Sequence, residues 1–473
     1  MMHPMKNTAH TDSPFALTNV RMFIAFRVFF NARFYYPVFT IMFLDFGLTI
    51  AQFAFLNAVW AATIVIMEVP SGALADIWGR RNLLIGASVL MIVEMLLICL
   101  APQGRPTLLL SVFMINRVLS GTAEAAASGA DEAIAFDALK AVGRQKQWSR
   151  VLSLQMRLQA LMFILAMSIG AAVYDPQFMQ QAADWMGITL SFDRSVTIRI
   201  PAFLTLGMAA LSLAASLKMH EVFPGHGDNA CKPLAQCKAS IKDVLRQTLD
   251  AGKWILNMPF AVVIIAAGFL FDGIIRMVIT LSSQYYRLIA IPEALFGIIG
   301  SGIACLGLII PRIAMRMSDR RTPTFNLVAV ATVTSLGLFG MTLFIPTFGV
   351  LPVVMLFASM QLSGFFMSYY LNQITASKQR ATVLSFKGLS LNLSYGLVGL
   401  LYSALLALMR PQASRLHAGM GTDALENVLF SHSIQWFPWV FLGGLGVFLF
   451  FAGRKLKGQE IHRQTHFESF NEE

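Results

Sequence analysis

Apolar runs of about twenty residues, separated by short polar segments, recur along the whole sequence. Each run is long enough to cross the hydrocarbon core of a bilayer as an α-helix. The pattern therefore predicts an all-α membrane protein with about twelve spans. We place these spans at residues 21–46, 50–70, 82–101, 107–129, 151–174, 198–219, 258–286, 292–315, 323–345, 348–373, 381–408 and 434–453.

One long hydrophilic stretch, residues 220–257, interrupts this pattern after the sixth run. It predicts two six-helix halves, 21–219 and 258–453, flanked by polar tails at 1–20 and 454–473. Within the stretch, apolar residues recur near helical spacing among Lys and Arg, which predicts an amphipathic helix on the membrane surface. These residues are Ile241, Val244, Leu245 and Leu249.

The charged residues fit a membrane protein better than a nucleic-acid-binding one. Only 13% of the chain is charged, against about 25% in soluble domains. The net charge of +11 comes from short clusters between the apolar runs, such as Arg80–Arg81 and Lys140–Lys146, and not from a continuous basic arm. Lys and Arg are concentrated in the tails, the linker and alternate loops, so both termini are expected in the cytoplasm. We expect a bacterial inner membrane protein.

Histidine and cysteine give little support for a metal site or an enzyme. The histidines lie in tails and loops, so a proton relay inside the spans would have to use carboxylates. Cys231, Cys237 and His226 in the linker fit no strong zinc template. The spans hold no nucleophile beside a histidine and no phosphate-cradling loop. We expect no metal and no cofactor, and a membrane-embedded enzyme is disfavoured.

A short motif follows the second predicted span, with the spacing Gly-x-x-x-Asp-x-x-Gly-Arg-Arg. A second element, Arg117 with Gly121, lies in the fourth span. With the twelve spans and the basic central loop, these motifs resemble the major facilitator superfamily (MFS) over essentially the whole chain. The resemblance implies two pseudo-symmetric six-helix bundles and secondary transport by alternating access. The motif differs from the family pattern at Ile77, where a basic residue is usual.

The motif loop is predicted to act as a latch between the halves in the outward-facing state and to open on the inward swing. Its glycines permit a tight turn, and its aspartate can lie at the N-terminus of the eleventh span. Its arginines can pair with acids that follow the fourth span, including Glu132. The predicted latch comprises Gly72, Asp76, Gly79, Arg80, Arg81, Asp131 and Asp137.

Several charged residues fall inside predicted spans. The basic ones are Arg27, Arg33, Arg117, Arg157, Arg276 and Lys387, and the acidic ones are Glu94, Glu124 and Asp272. Each would cost at least about 2.5–3.5 kcal/mol if it faced lipid at mid-depth, so we expect them to face a wet cavity or one another. The resemblance implies that spans one, four, seven and ten line that cavity. The predicted substrate cavity comprises Arg27, Asn31, Arg33, Arg117, Glu124, Asp272, Arg276, Gln361, Ser368 and Asn372.

Spacing suggests roles for these charges. Arg27 is expected to pair with Glu124, and Asp272 with Arg276 four residues later, or with substrate. Arg33 and Arg117 have no evident acid at their depth, which favours contact with substrate. Glu124 and Asp272 are the candidates for carrying a coupled proton.

The excess of arginine favours a small organic anion as substrate, coupled to protons, in a monomeric transporter. The alternative is a multidrug exporter for amphipathic or cationic compounds, a proton antiporter, which would need a lone cavity acid and aromatic residues. The fifth span carries Gly170 but no proline, unlike the Gly-Pro-rich element of such antiporters. A non-transporting sensor or scaffold with the same fold is a remote alternative, because it would have no need of a latch.

Overall fold

The structure is a computed structural model that describes residues 13–221, 246, 252–253, 255–256, 258–375, 380–417 and 419–456. These residues form helices and no strands, which confirms the predicted all-α class. Eleven helical stretches are long and apolar enough to cross a membrane, judged by length and composition. The predicted linker helix, apart from isolated positions, lies outside the described residues, as do Cys231, Cys237 and His226.

Between residues 13 and 221, the described part of the first half, the chain forms ten α-helices. They are α1 (Thr18–Phe30), α2 (Phe39–Asp45), α3 (Ile50–Trp78), α4 (Arg80–Cys99), α5 (Pro106–Ala127), α6 (Ala130–Ala141), α7 (Trp148–Tyr174), α8 (Pro176–Trp185), α9 (Arg194–Thr197) and α10 (Ile200–Leu217). Local signals set several of the starts. Thr49 and Gln52 form a capping box at α3, and Asp175 accepts hydrogen bonds from the first turn of α8. These side chains satisfy backbone N–H groups that have no partner within the helix.

The second half repeats this pattern of long and short helices. They are α11 (Pro259–Thr280), α12 (Ser282–Leu288), α13 (Phe296–Ala304), α14 (Leu306–Arg320), α15 (Pro323–Thr342), α16 (Val350–Ile374), α17 (Arg380–Leu416), α18 (Thr422–Ile434) and α19 (Phe437–Leu456). Thr322 caps α15, with Pro323 at its first position. Proline suits this position because the N–H group that it lacks would have no partner there.

The prediction of one continuous first span at 21–46 is wrong, because α1 ends at Phe30 and α2 begins only at Phe39. Pro37 lies between them in a short 3-10 helix (Tyr36–Val38) and lacks the N–H group that would continue an α-helix through the break. Groups from other helices hold the break: the Phe34 amide donates to Thr205 Oγ1 at 3.0 Å. A methyl group added at Gly170 of α7 would lie 1.8 Å from the Phe34 carbonyl oxygen. Irregular backbone at membrane depth is tolerated where protein covers it or where it lines a cavity.

The bundle has two ends that differ in charge and in packing. We call the end with the turns at residue 79, 142–147 and 321–322 the basic face, and the end with the turns at 46–49, 100–105 and 289–292 the sealed face. Toward the sealed face, α3 packs on α17 and α7 packs on α13. A methyl group added at Gly297 of α13 would lie 2.0 Å from the Met167 carbonyl oxygen. Small residues allow this close approach between the halves.

The close approach of Gly170 to the Phe34 carbonyl leads to a testable prediction about stability. Replacing Gly170 with Ala should destabilise the protein by about 1–3 kcal/mol, the usual cost of overpacking, because the methyl group would meet backbone that cannot rotate away. The measurement is thermal unfolding of the purified protein in detergent. Gly86→Ala in α4 is the matched control, since nothing lies within 4 Å of its added methyl group. Equal melting temperatures for the two variants would contradict the prediction.

Candidate substrate cavity and sealed face

A cavity of about 400 Å³ lies between the two halves. Its walls come from the break between α1 and α2, from α3, α5 and α7 of the first half, and from α11, α12, α13, α16 and α17 of the second. Its charged lining residues are Arg33, Arg117, Glu124 and Arg276, all of them predicted cavity residues. The volume falls within the range of about 300–1,000 Å³ that is usual for small-molecule sites.

Arg33 belongs to the wall of this cavity and is neutralised there. Its side chain is buried and forms an ion pair with Glu94 of α4, whose side chain is 0% exposed. The prediction that Arg33 has no acid at its depth is therefore wrong. The reason is that Arg33 lies in the helix break, where helical-face reasoning from the sequence does not apply. The side-chain amide of Asn116 in α5 donates to the backbone carbonyl of Glu94 at 2.7 Å. This hydrogen bond holds α5 against α4 beside the ion pair.

Arg117 has no such acid. The residue is 3% exposed, and its Nε and one terminal nitrogen donate to the Asn116 side-chain oxygen at 3.0 and 2.8 Å. Its guanidinium lies over the rings of Phe39 and Phe43, at 5.4 and 5.2 Å from their centroids. No described carboxylate forms an ion pair with Arg117. The cavity thus contains a cation whose charge is solvated by an amide and aromatic faces alone.

Glu124 lies two turns along α5 on the same face as Arg117, half-buried, and lines the cavity. In the part of the chain that the structure describes, its carboxylate makes no hydrogen bond or ion pair. The expected partner, Arg27, binds Asp131 at 2.7 Å and Glu132 at 3.2 Å instead. The prediction of an Arg27–Glu124 pair is wrong because the chain turns at Gly129 into α6, which brings its two acids next to α1.

Arg276 carries its own counter-charge. It pairs with Asp272 at 2.5 Å, donates to the Asn392 side-chain oxygen at 3.0 Å, and lies over the Tyr395 ring. This is the contact that the spacing of four residues allows. Arg276 lines the cavity, and Asp272 is absent from the described cavity wall.

The remaining predicted cavity residues also lie outside the described cavity wall. Asn31 donates to the Arg27 carbonyl at 2.7 Å, and Asn372 donates to the Ser368 carbonyl at 2.9 Å. The ammonium of Lys387 in α17 donates to the hydroxyl of Ser368 in α16 at 2.5 Å, so these groups satisfy one another nearer the basic face. Those that do not line the wall are Arg27, Asn31, Asp272, Gln361, Ser368 and Asn372. The sequence interpretation missed Trp60, Phe163 and Phe357, which do line it.

The motif loop lies at the basic face and contacts the first half and the start of the linker that follows it. Arg80 forms an ion pair with Asp137, and its backbone amide donates to Glu221 at 3.0 Å. Arg81 donates from its backbone amide to Glu221 at 2.8 Å, which caps the start of α4. The predicted latch requires a contact between the halves. The Arg80–Asp137 pair lies within the first half and does not provide that contact. Asp131, also assigned to the latch, binds Arg27, and the Asp76 side chain lies outside what the structure describes.

A network of charges joins the halves at the sealed face. Arg287 of the second half binds both carboxylate oxygens of Asp45 at 2.7 Å. Glu293 accepts from Arg287 at 2.7 Å and pairs with Arg194 of the first half at 2.6 Å. The hydroxyl of Tyr174 donates to Asp45 at 2.6 Å. Residue spacing does not predict these contacts, because the acids that Arg194 and Arg287 bind across the halves are distant along the chain.

Two further carboxylates cross between the halves at the same face. Glu426 accepts from the Ile50 amide at 3.0 Å, at the start of α3, and Asp175 accepts from the Ala294 amide at 3.1 Å, just before α13. A carboxylate is favoured at a helix N-terminus, and here each half caps a helix of the other. Further hydrogen bonds across the halves lie toward this face, among them those of Ser283 with the Thr40 amide and of Ser403 with the Ala51 carbonyl.

The comparisons with known proteins agree with this architecture. The sequence model of the Major Facilitator Superfamily matches residues 21–399. No curated protein sequence is significantly similar to the chain. A bacterial homologue of the human lysosomal transporter Spinster, solved in an inward-facing and unoccupied conformation, has a TM-score of 0.68 at 14% identity over 94% of this chain and 98% of that one.

Two other solved structures are similar in the same way. The nucleoside transporter NupG has a TM-score of 0.60 at 14% identity, over 90% of this chain and 99% of that one. A D-xylose–proton symporter has a TM-score of 0.53 at 14% identity, over 89% and 97%. At such identities the likeness concerns the fold alone.

The different surroundings of the buried arginines predict different effects on stability. Arg33→Gln or Glu94→Gln should each cost about 3–5 kcal/mol, because each leaves a buried charge without its partner. The double variant should recover part of this loss. Arg117→Gln should change stability little, since no carboxylate depends on it. Thermal unfolding in detergent measures all four. A loss in Arg117→Gln as large as that in Arg33→Gln would contradict the distinction between them.

Proposed function

This chain is a membrane transporter of the Major Facilitator Superfamily, and we propose that it carries a small organic anion together with a proton by alternating access. The observation that carries the proposal is Arg117, a buried guanidinium that lines the central cavity without an acid partner in the described chain. We place the protein in a bacterial inner membrane with the basic face toward the cytoplasm, following its Lys and Arg distribution. The described conformation is then inward-facing.

The charges around the cavity support an anion as substrate. Arg33 is balanced by Glu94 and Arg276 by Asp272, so Arg117 is the guanidinium left for a ligand. A guanidinium binds a carboxylate through two parallel hydrogen bonds, which adds geometric selectivity to the attraction of charge. The surrounding protein excludes water, and that strengthens the attraction.

Glu124 supports proton coupling better than Asp272 does. Asp272 is held by Arg276 at 2.5 Å, whereas Glu124 faces the cavity without a described partner. An ionised Glu124 repels an anion that approaches Arg117 on the same helix face, and a proton on Glu124 removes that repulsion. Binding of the anion and binding of the proton are therefore mutually favourable, and anion binding should strengthen as pH falls.

The sealed face supplies a mechanism for alternating access. The halves, 21–219 and 258–453, would rock about the cavity as superfamily transporters with internal repeats do. Opening this face requires separation of Arg287 from Asp45 and of Arg194 from Glu293. We propose that these pairs hold the inward-facing state, and that the loop from Gly72 to Arg81 contributes to the opposite one.

An exporter of amphipathic cations is the second candidate. The same Glu124, unpartnered in a cavity with aromatic walls, would suit a cationic drug-like compound. The two candidates make opposite demands on the cavity charges: an anion needs Arg117, and a cation needs Glu124. Single substitutions at these positions therefore distinguish them.

We expect Arg117→Gln to abolish anion transport and Glu124→Gln to uncouple it from protons. The measurement uses proteoliposomes with a pH indicator inside and a panel of organic anions and cations outside. Wild type should take up protons with an anion, and Glu124→Gln should exchange the anion without proton movement. Arg312→Gln, on the exposed side of α14, is the matched control. Transport of a cation that survives Arg117→Gln but fails in Glu124→Gln would favour the exporter.

The sealed-face network predicts a shift in conformational populations. Asp45→Asn should weaken its contacts with Arg287, each worth about 1.5–3 kcal/mol as a hydrogen bond to a charged group, and so populate a conformation with this face open. Spin labels at Gln103 and Phe348, both exposed on this face, report the distance between the halves after the four native cysteines are replaced by serine. A longer distance should appear. Asp423→Asn, an exposed acid near the same face, is the control, and identical distance distributions in all proteins would refute the role of the network.

A further inference from the structure

Aromatic side chains form much of the cavity wall, and several keep uncovered surface there. Tyr36 is 45% exposed although it lies deep in the bundle beside the helix break, and Trp60, Phe163 and Phe357 are half-buried. All four line the cavity. Large apolar surface left uncovered inside a protein is unusual and typical of a ligand site. These rings come from both halves of the chain.

Trp60 and Tyr395 show how the halves share this wall. Their rings meet edge to face across the halves, with centroids 6.3 Å apart. The hydroxyl of Tyr395 is already in hydrogen-bond contact with Thr280 at 3.1 Å, so Tyr395 offers mainly its ring to a ligand. A flat apolar group beside these rings would contact both halves at once.

The lining of the cavity is mostly apolar, and some of its neutral polar groups are engaged with the protein. Ser283 accepts from the backbone amides of Thr40 and Ile41, and Asn57 donates to the Phe53 carbonyl at 2.9 Å. A ligand rich in hydroxyl groups would lose its hydrogen bonds to water and find few replacements. The cavity therefore suits an apolar body better than a sugar-like one.

We infer that the substrate is an amphipathic monoanion, with one carboxylate or sulfonate group bound at Arg117 and a ring-bearing apolar body between the aromatic walls. The inference rests on the proposed function and deepens it. A single negative charge is expected because one lining guanidinium lacks an acid partner among the described residues. With a proton on Glu124, the loaded cavity has no net charge, since the Arg33–Glu94 and Arg276–Asp272 pairs are neutral. Each transport step then moves no net charge across the membrane.

The binding test uses the purified full-length protein and five matched probes, with affinity measured from ligand-induced thermal stabilisation. Naphthalene-2-sulfonate has the ring and one charge, methanesulfonate only the charge, and naphthalene-2-sulfonamide only the ring. Naphthalene-2,6-disulfonate adds a second charge, and gluconate is a hydroxylated monoanion. We expect naphthalene-2-sulfonate to bind at least about tenfold more tightly than the other four, a difference of one decade in Kd.

Variants connect this preference to the residues. Arg117→Gln should weaken naphthalene-2-sulfonate binding at least about tenfold and leave the sulfonamide unchanged. Trp60→Ala should weaken the sulfonate severalfold, and Trp60→Phe should largely restore it, because the aromatic face and not the indole N–H is used. An unchanged melting temperature of ligand-free Trp60→Ala shows that the alanine effect is not a folding defect.

The outcomes separate the inference from the proposed function. Equal binding of methanesulfonate, gluconate and naphthalene-2-sulfonate, with all three lost in Arg117→Gln, would overturn the ring-bearing body and leave anion transport standing. Equal binding of the sulfonamide and the sulfonate, unaffected by Arg117→Gln, would overturn both. Failure of naphthalene-2-sulfonate to bind would overturn the inference. A transport experiment in proteoliposomes tests the electroneutral step. A pH gradient should drive the uptake of naphthalene-2-sulfonate equally with and without a membrane potential set by potassium and valinomycin. Uptake that depends on the potential would overturn the electroneutral step.

Discussion

A charge buried within a membrane protein must be compensated, and the way in which each arginine of this chain is compensated determines how the structure works. A charged side chain at the centre of a bilayer costs at least about 2.5–3.5 kcal/mol when nothing balances it. Arg33, Arg276 and Arg27 are balanced by carboxylates, and those ion pairs connect neighbouring helices or turns. Arg117 is balanced by an amide oxygen and two aromatic rings. The three arginines paired with carboxylates stabilise the scaffold. Arg117, which has no carboxylate partner among the described residues, retains its attraction for a ligand.

The broken first helix follows from the same constraint. A continuous helix over residues 21–46 would place Arg33 and Tyr36 on a regular helical surface. The break lets Arg33 reach the buried Glu94 and lets Tyr36 face the cavity. Backbone groups released by a break need partners at this depth, and the Thr205 hydroxyl meets one of them. Gly170 allows α7 to cover the same segment. One glycine in the fifth span therefore supports the charged wall of the cavity.

The membrane class and most spans were predictable from the sequence because each depends on residues close together in the chain. The same holds within single helices: Arg117 and Glu124 share a face of α5, and Asp272 lies beside Arg276 in α11. Partners on different helices were not predictable in this way. Glu94 for Arg33, Asp131 for Arg27 and Asp45 for Arg287 are set by how helices pack, and residue spacing carries no information about that. The first span was misjudged because its apolar composition continues through the break.

The contacts at the sealed face also constrain the opposite conformation. Arg287, Arg194, Glu426 and Asp175 each make charged contacts across the halves there, and hydrogen bonds to charged groups are worth about 1.5–3 kcal/mol each. A transporter must visit both conformations, so their free energies can differ by only a few kcal/mol. Opening this face must therefore be matched by new contacts at the basic face. Under the function proposed for this chain, a ligand that touches the aromatic walls of both halves would stabilise the closed intermediate between the two states. A neutral, proton-loaded cavity would have the least charge to desolvate in that intermediate.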